Sequence, residues 1–137
     1  MWLLGHFALG YIAALCISKL TKEKINIPLV FFFSILPDFD LLISQLDHRG
    51  PTHSVIVAVL LFIPILLIFR HGLSYLGALL THSMIGDFFT PPAIALLWPA
   101  STQLFESPWI LTGELEFVVE MILFMVMIFL IVNERGK

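Results

Sequence analysis

Residues 55–69 read Val-Ile-Val-Ala-Val-Leu-Leu-Phe-Ile-Pro-Ile-Leu-Leu-Ile-Phe, an unbroken run without a charged or hydrogen-bonding side chain. The run does not alternate polar and apolar residues, as the strands of a membrane β-barrel do. Backbone groups in lipid must find partners within their own segment, which leaves the helix as the spanning form. The stretch therefore predicts an all-α integral membrane protein.

The composition of the whole chain agrees with this stretch. Of 137 residues, 59% are hydrophobic and 12% are charged, whereas soluble domains carry about 25% charged residues. A soluble globular enzyme and a disordered chain are thus excluded as default classes. The net charge of −3 and the lack of a basic cluster exclude a nucleic-acid partner. A single cysteine, Cys16, excludes a disulfide framework and a cysteine-based zinc site.

Apolar runs divide the chain into about five predicted transmembrane helices within a single domain, residues 1–137. The predicted spans cover approximately residues 1–18, 25–46, 54–69, 73–89 and 109–132. Several lie at or below the roughly 17–25 residues that a crossing needs, so short or tilted helices are expected. Residues 1–18 lack a charged segment before the apolar run, and we interpret them as a retained helix rather than a signal peptide.

Basic residues set the predicted orientation. They follow the first, third and fifth spans: Lys19, Lys22, Lys24, Arg70, Arg135 and Lys137. The positive-inside rule places these segments in the cytoplasm, so we expect the N-terminus outside and the C-terminus inside. The expected location is the inner (plasma) membrane, crossed several times. The oligomeric state stays open.

This topology brings most of the remaining ionisable residues to the outer side. Such a residue inside a bilayer costs at least a few kcal/mol unless it pairs, meets water or holds a metal. An interfacial position explains some of them. It does not explain His6, Asp40, His82 and Glu120, which lie several residues inside apolar runs. We predict one shared polar site, with scattered interfacial residues as the alternative.

The second span contains Pro37-Asp38-Phe39-Asp40. Proline breaks the helical hydrogen-bond ladder and opens the backbone at the two carboxylates. In a broken helix Asp38 and Asp40 can converge on one cation or on two neighbouring ones. The alternative is a kinked helix with capping aspartates.

Residues 48–54 read His-Arg-Gly-Pro-Thr-His-Ser. Pro51 suits a helix start, which Thr52 or Ser54 can cap, and a helix N-terminus favours an anion. We expect the planar guanidinium of Arg49 to bind the anionic part of a substrate, with His53 as a metal ligand beside it. His48 joins Arg49 as a candidate catalytic residue. The alternative is a capped loop with Arg49 at lipid headgroups.

His82 and Asp87 are five residues apart, which puts them about 140° apart on an α-helix. A wide turn or kink at Gly86 would turn both inward, because π-bulges cluster at functional sites. Otherwise one of the two lies behind the ligands. On the fifth span, Glu116 and Glu120 share a face. Glu120 is a candidate general base, or else it orients the ligating histidines.

The candidate metal ligands are His6, Asp38, Asp40, His53, His82 and Asp87. Histidine and carboxylate without thiolate suit Zn²⁺, Mn²⁺, Fe or Ni, and we expect zinc, as one or two ions. A hydrolytic site of this kind activates water and polarises a phosphoryl or acyl oxygen.

The motifs occur in a fixed order: His6-Phe-Ala-Leu-Gly10, residues 37–40, residues 48–54, His82 to Pro91, and Leu96-Leu-Trp-Pro99. This series resembles the membrane-bound metal-dependent hydrolase family of YdjM type, also described as LexA-binding, inner-membrane-associated hydrolases. The resemblance implies a multi-span protein with a metal-hydrolase site drawn from His6, Asp38, Asp40, His48, His53, His82 and Asp87. The family pair is His-x-x-x-Asp. In this chain four residues, not three, separate His82 from Asp87. The role that the resemblance implies therefore carries over to His82 more directly than to Asp87.

We therefore expect a metal-dependent hydrolase at the outer leaflet, acting on a lipid-like phosphoester, with membrane lipid as its partner. Two alternatives stay open: a membrane protein that binds or transports a cation, and a non-catalytic regulatory protein. The third span is wholly apolar, and the fifth has no acid from Met121 to Val132, which disfavours a path through the membrane. Short cytoplasmic loops disfavour a soluble partner.

Overall fold

The computed structural model describes residues 2–43, 45–69 and 72–136. Five α-helices run through them: α1 Leu3–Thr21, α2 Ile27–Ile35, α3 Val55–Phe69, α4 Leu73–Thr81 and α5 Gly113–Arg135. The described residues form no β-strand, only an isolated bridge between Ile94 and Phe105. The all-α prediction is confirmed. Arg70 and Lys137, which helped to predict the orientation, lie outside the described residues.

Two non-α segments lengthen the short helices. A 3₁₀ segment, Leu36–Leu42, continues α2, and a π-helix, His82–Asp87, continues α4. Helices α2 and α4 have 9 residues each, which is about 14 Å of α-helix and too short to cross a bilayer. In the described part of the chain, α1 and α5 are long and apolar enough to cross a membrane. Five crossings remain a prediction.

Contacts at the helix ends show how the helices are oriented. Lys19 Nζ donates to Glu134 Oε1 at 2.9 Å, which joins the C-terminal ends of α1 and α5. Just after α1, the Glu23 carboxylate accepts the backbone N–H groups of Gly72 and Ser74 at the start of α4, at 3.1 and 3.2 Å. Helix α4 therefore runs opposite to α1 and α5. We call the end with residues 19–24 and 134–135 the basic end.

The opposite end is called the site end. It holds the segment after α2 (residues 36–42), a 3₁₀ turn before α3 (Pro51–His53) and the π-helix after α4. Ser54 caps α3, because its Oγ accepts the N–H groups of Ile56 and Val57 at 3.2 and 3.4 Å. The irregular segment 88–112 lies across this end, where Leu96 accepts a backbone bond from Val55 at 3.0 Å.

Small side chains let three helices approach closely beneath the site end. Helix α1 packs against α2, α4 and α5, and α4 also packs against α2 and α3. Ala8, Ala14, Val30 and Ala78 are fully buried between them. Gly10 faces Ser34 so closely that a Cβ there would lie 1.8 Å from the Ser34 Oγ. This packing fixes α1, α2 and α4 behind the polar residues.

Candidate metal centre

Three elements deliver the polar side chains to the site end. Helix α2 stops at Ile35, and the 3₁₀ segment that follows carries Asp38 and Asp40. Pro37 lies at the start of that segment, where its missing N–H is tolerated but would interrupt an α-helix. The turn before α3 carries His53, and the π-helix carries His82 and Asp87.

Four of these side chains converge on one point. Asp38, His53, His82 and Asp87 each offer one ligand atom, and the four atoms lie within 4.8 Å of one another. The Nε2 atoms of His53 and His82 are 3.2 Å apart. Asp87 Oδ2 lies 3.1 Å from the Nε2 of His53 and 3.2 Å from that of His82. Asp38 Oδ1 lies 3.4 and 3.3 Å from the same two nitrogens. We call these residues the four-ligand group.

The outer nitrogens of both histidines are engaged elsewhere. His82 Nδ1 donates to the Ser34 carbonyl at 2.7 Å, since a carbonyl can only accept. His53 Nδ1 lies 3.3 Å from Asp40 Oδ2. Carbonyls and carboxylates that hold Nδ1 in this way fix the tautomer and ring orientation in metal sites. The neutral rings then present lone pairs at Nε2, so four acceptor atoms face one another. A cation can satisfy all four.

The charge balance of the site also favours a cation. Asp38, Asp40 and Asp87 carry three negative charges against the one positive charge of Arg49, and Asp40, Asp87 and Arg49 are buried. One divalent cation would neutralise the remainder, and buried charge is costly unless it is balanced. Protonating both histidines would balance the charge too. It would also set two N–H donors against each other at 3.2 Å.

The π-helix explains the five-residue spacing of His82 and Asp87. Its hydrogen bonds join residues five apart, so those residues lie above one another on one face. Nε2 of His82 and Oδ2 of Asp87 are accordingly 3.2 Å apart. The predicted wide turn at Gly86 is present within this segment. The extra residue relative to His-x-x-x-Asp is absorbed by the wider turn.

His6 packs against the four-ligand group without being one of its members. Its ring stacks on the ring of His82, with 3.8 Å between centroids and 17° between planes. Its Nε2 lies 3.6 Å from Asp87 Oδ1. Gly86 makes room for this ring, because a Cβ there would lie 2.6 Å from two of its atoms. The contact holds His82 in place, and direct ligation by His6 stays a prediction.

Asp40 and His48 form the next layer outward. Asp40 Oδ1 pairs with His48 Nδ1 at 3.0 Å, and Asp40 Oδ2 accepts from Thr52 Oγ1 at 2.7 Å. Both carboxylate oxygens are therefore engaged, and Asp40 orients His53 instead of joining the four-ligand group. With His48 and His53 it forms a second convergent group, whose hydrogen bonds an ion would have to replace. His48 is 36% exposed and is the outermost of these residues.

Arg49 differs from the expectation that it binds a substrate anion. Its side chain is only 7% exposed, and its Nη2 lies 3.1 Å from Asp87 Oδ1. Nη1 donates to the carbonyls of Thr90 and Pro92. These acceptors engage both Nη1 and Nη2, and the remaining donor, Nε, is buried. Arg49 instead ties Asp87 to the segment that follows the π-helix.

Glu120 also has another contact than expected. Its carboxylate accepts the backbone N–H of Trp2, immediately before α1 begins. A negative charge at a helix N-terminus is stabilising, because the first N–H groups of the helix lack partners. Glu120 is buried there and belongs to neither convergent group. The contact joins α5 to the start of α1. Neither this contact nor the position of Glu120 outside both groups supports a role as general base.

Two partners of the site were not indicated by the sequence. Ser34 contributes its carbonyl, a group that every residue type carries. Its position in the last turn of α2 leaves that carbonyl without an intrahelical partner. Thr90 receives Arg49 through its carbonyl and, at 3.2 Å, through its hydroxyl. Only the hydroxyl of Thr90 could have indicated from the sequence that this residue contacts Arg49. Threonine is too common in turns for that indication to be specific.

Comparison with known proteins gives a family. None of the curated proteins and none of the solved structures matches the chain. The family model described as YdjM inner membrane protein matches residues 1–137. The match agrees with the order of motifs from His6 to Pro99. The chain therefore belongs to the YdjM inner membrane protein family.

Proposed function

We propose that the protein is a membrane-embedded, metal-dependent hydrolase whose metal is held by Asp38, His53, His82 and Asp87. The observation that carries this proposal is the convergence of four candidate ligand atoms within 4.8 Å. Three of the four side chains, His53, His82 and Asp87, are also held through their other polar atoms. Two histidines and two carboxylates without a thiolate suit Zn²⁺, which takes four ligands in a tetrahedron or three and a water. We propose one zinc ion at this site.

The surrounding residues prepare the ligands and leave one side open. A divalent ion bound here supplies a Lewis acid for a phosphoryl or acyl oxygen and activates water. Asp40 and the Ser34 carbonyl orient the two histidines, and Arg49 orients Asp87. Asp38 is 28% exposed and is the most accessible of the four ligands, so a substrate approaches from its side. His48, held by Asp40, is the proposed catalytic residue at this opening.

The proposed substrate is a phosphoester of a membrane lipid. Positive-inside topology puts the basic end in the cytoplasm and the site end at the outer leaflet, where lipid phosphates lie. Cation transport has less support. Ala8, Ala14, Val30 and Ala78 are fully buried between the helices, and the buried hydroxyls of Ser18 and Ser34 donate to carbonyls of their own helices. Intramembrane ion pathways are typically marked by carboxylates or other ionisable side chains instead.

Metal content is the first test. Protein purified in detergent and equilibrated with limiting Zn²⁺ should carry about one zinc per chain, measured by elemental analysis. Asp38→Asn and His53→Gln should bind zinc at least about tenfold more weakly, because each removes a ligand. Asp47→Asn changes an exposed acid nearby and should keep the wild-type value. Unchanged zinc in both ligand variants would contradict the proposed centre.

Turnover is the second test. Chelator-treated protein would be assayed with bis(4-nitrophenyl) phosphate, 4-nitrophenyl phosphate and 4-nitrophenyl acetate, with and without added Zn²⁺. We expect zinc-dependent release of nitrophenol from a phosphate ester, absent in Asp38→Asn and present in Asp47→Asn. A protein that binds zinc stoichiometrically but hydrolyses none of these esters would favour the cation-binding alternative.

A further inference from the structure

An apolar groove of about 210 Å³ lies between α3 and the stretch in which α2 passes into its 3₁₀ segment. Leu36 and Pro37 line one side, and Val57, Ala58 and Leu61 line the other. Leu61 is 71% exposed, so the groove opens sideways at this residue. In a membrane protein this opening faces the hydrocarbon phase.

One end of the groove coincides with the metal centre. Pro37 lines the groove and immediately precedes Asp38, the most accessible ligand. Thr52 also lines it, while its Oγ1 donates to Asp40 Oδ2 at 2.7 Å and lies 3.1 Å from His53 Nδ1. A ligand in the groove therefore has one end beside the metal ligands.

The groove continues away from the centre along α3 as far as Ile65. The distance from Val57 to Ile65 along a helix is about 12 Å. Every lining residue except Thr52 is apolar, so the groove offers nothing to a polar chain. Its deepest residues, Phe62 and Leu79, are buried.

We infer that this groove holds the hydrocarbon chain of an anionic lipid whose phosphate reaches the metal centre. The inference rests on the proposed function and names the part of the substrate that gives specificity. The kind of occupant follows from the surroundings of the groove. At the end beside the metal centre, a cation favours an anionic headgroup. Along the rest of the groove, the apolar lining and the opening to the bilayer favour an alkyl chain. If a second copy of the protein occupied the groove instead, the length of a substrate's alkyl chain would have no effect on its KM.

Substrates that differ only in their alkyl chain test the inference. The zinc-loaded protein in nanodiscs would be assayed with methyl and octyl 4-nitrophenyl phosphate. The wild type should show a KM at least about tenfold lower for the octyl ester, because each buried methylene strengthens binding about fourfold before competition from the bilayer. Equal KM values would contradict the inference.

Filling the groove should remove this preference. Ala58→Phe places a ring inside it, and Ala58→Leu is a smaller filling in case the first variant fails to fold. Both should bring the two KM values within about threefold, since the lost methylene contacts act on the octyl ester alone. Leu60→Phe is the matched control, because Leu60 is exposed on the same helix and outside the groove. An octyl preference that persists in both Ala58 variants with full zinc content would overturn the inference.

A binding measurement separates this inference from the proposed function. Octylphosphonate and methylphosphonate cannot be hydrolysed, and their dissociation constants can be measured by calorimetry. If the wild type bound octylphosphonate more tightly than methylphosphonate and Ala58→Leu removed this difference, the result would support alkyl-chain binding in the groove even if no ester were hydrolysed. Hydrolysis without any dependence on chain length would leave the hydrolase proposal intact and reject the groove.

Discussion

At the residue scale, the centre divides into side chains that face its middle and side chains that hold them. His53 and His82 face inward through Nε2, and their Nδ1 atoms are held by Asp40 and the Ser34 carbonyl. Arg49 holds Asp87 in the same sense. Guanidinium suits this task because its rigid fork directs Nη2 to the carboxylate and Nη1 to the carbonyls, whereas an ammonium group has a single nitrogen.

The first prediction concerns Arg49→Lys. Lysine offers one nitrogen in place of the two that contact Asp87 and the carbonyls of Thr90 and Pro92, so Asp87 should be held less firmly. We expect zinc affinity to fall about 10- to 100-fold and the free energy of unfolding to fall by about 2 kcal/mol. Zinc titration and thermal unfolding in detergent measure the two effects. Arg135→Lys, at an exposed position of the basic end, should change neither. If Arg49→Lys left zinc affinity unaltered, the result would favour the earlier interpretations, in which Arg49 contacts a lipid headgroup or a substrate anion.

The sequence predicted that Asp38, His53, His82 and Asp87 share one polar site, and these side chains do converge, but it could not assign every contact. Asp38, His53, His82 and Asp87 stand in motifs at helix ends, and helix direction alone brings those ends together. The sequence assigned Arg49 to a substrate anion because its turn precedes a helix start, whereas its partners are Asp87 and the carbonyls of Thr90 and Pro92. Glu120 was a candidate general base or a residue that orients histidines, whereas its partner is the backbone N–H of Trp2. Such contacts depend on the path of the backbone, which a single sequence does not specify.

At the scale of single elements, the π-helix and the start of α4 determine how His82 is placed. The π-helix absorbs one residue between His82 and Asp87. The opposite end of α4 is fixed by Glu23, which accepts the backbone N–H groups of Gly72 and Ser74 and the Ser74 hydroxyl. From the five-residue spacing, the sequence left two possibilities open: a wide turn or kink at Gly86, or one of the two residues behind the ligands. It did not predict the anchor, because Glu23 and Ser74 belong to different motif-free segments.

The second prediction uses the spacing itself. Deletion of Met84, an exposed residue of the π-helix, would leave His82 and Asp87 four apart, where an α-helix aligns them. Zinc affinity should then stay within about tenfold of the wild type. Insertion of one alanine after Met84 puts the pair about 120° apart on an α-helix and should abolish zinc binding. Elemental analysis of both variants, with helix content from circular dichroism, decides the point. Loss of zinc in the deletion alone would contradict this role of the spacing.

The third prediction concerns Glu23, which lies between α1 and α2. Burial raises the pKa of its carboxyl, but the N–H groups of Gly72 and Ser74 outweigh burial and hold that pKa below its ordinary value. A folded-state pKa below the unfolded one stabilises the fold above the unfolded pKa, about 4.3, and this stabilisation is lost as pH falls through the folded pKa. Glu23→Gln should cost about 1 kcal/mol at pH 7.

The pH dependence distinguishes this role from a general effect of charge. The difference in melting temperature between wild type and Glu23→Gln should be largest near neutral pH and should narrow as the pH falls below about 4. A constant difference at all pH values would mean that Glu23 stabilises α4 through shape rather than charge.

At the scale of the whole molecule, the alternating direction of the helices places most basic residues at one end of the bundle and the aspartates of the centre at the other. Lys19, Lys22, Lys24 and Arg135 lie toward the basic end, and the three aspartates of the centre lie at the other end. The sequence predicted this separation from lysine and arginine positions, without the acids. Helix lengths were harder to predict, because α2 and α4 read as full spans while their α-helical parts have only 9 residues each. Apolar content does not distinguish α-helix from the 3₁₀ and π segments that continue it.

The fourth prediction is the orientation of the bundle, N-terminus outside and C-terminus inside. After replacement of Cys16 by alanine, single cysteines at Ser101 and Lys22 would be labelled in intact cells with a membrane-impermeant maleimide. We expect Ser101→Cys, in the segment across the site end, to react at once, and Lys22→Cys, at the basic end, to react only after permeabilisation. The opposite pattern would put the centre at the cytoplasmic face and reject an outer-leaflet substrate. The four-ligand group would be unaffected by that result, because its distances depend on how the segments next to α2, α3 and α4 pack together and not on the direction in which the bundle is inserted.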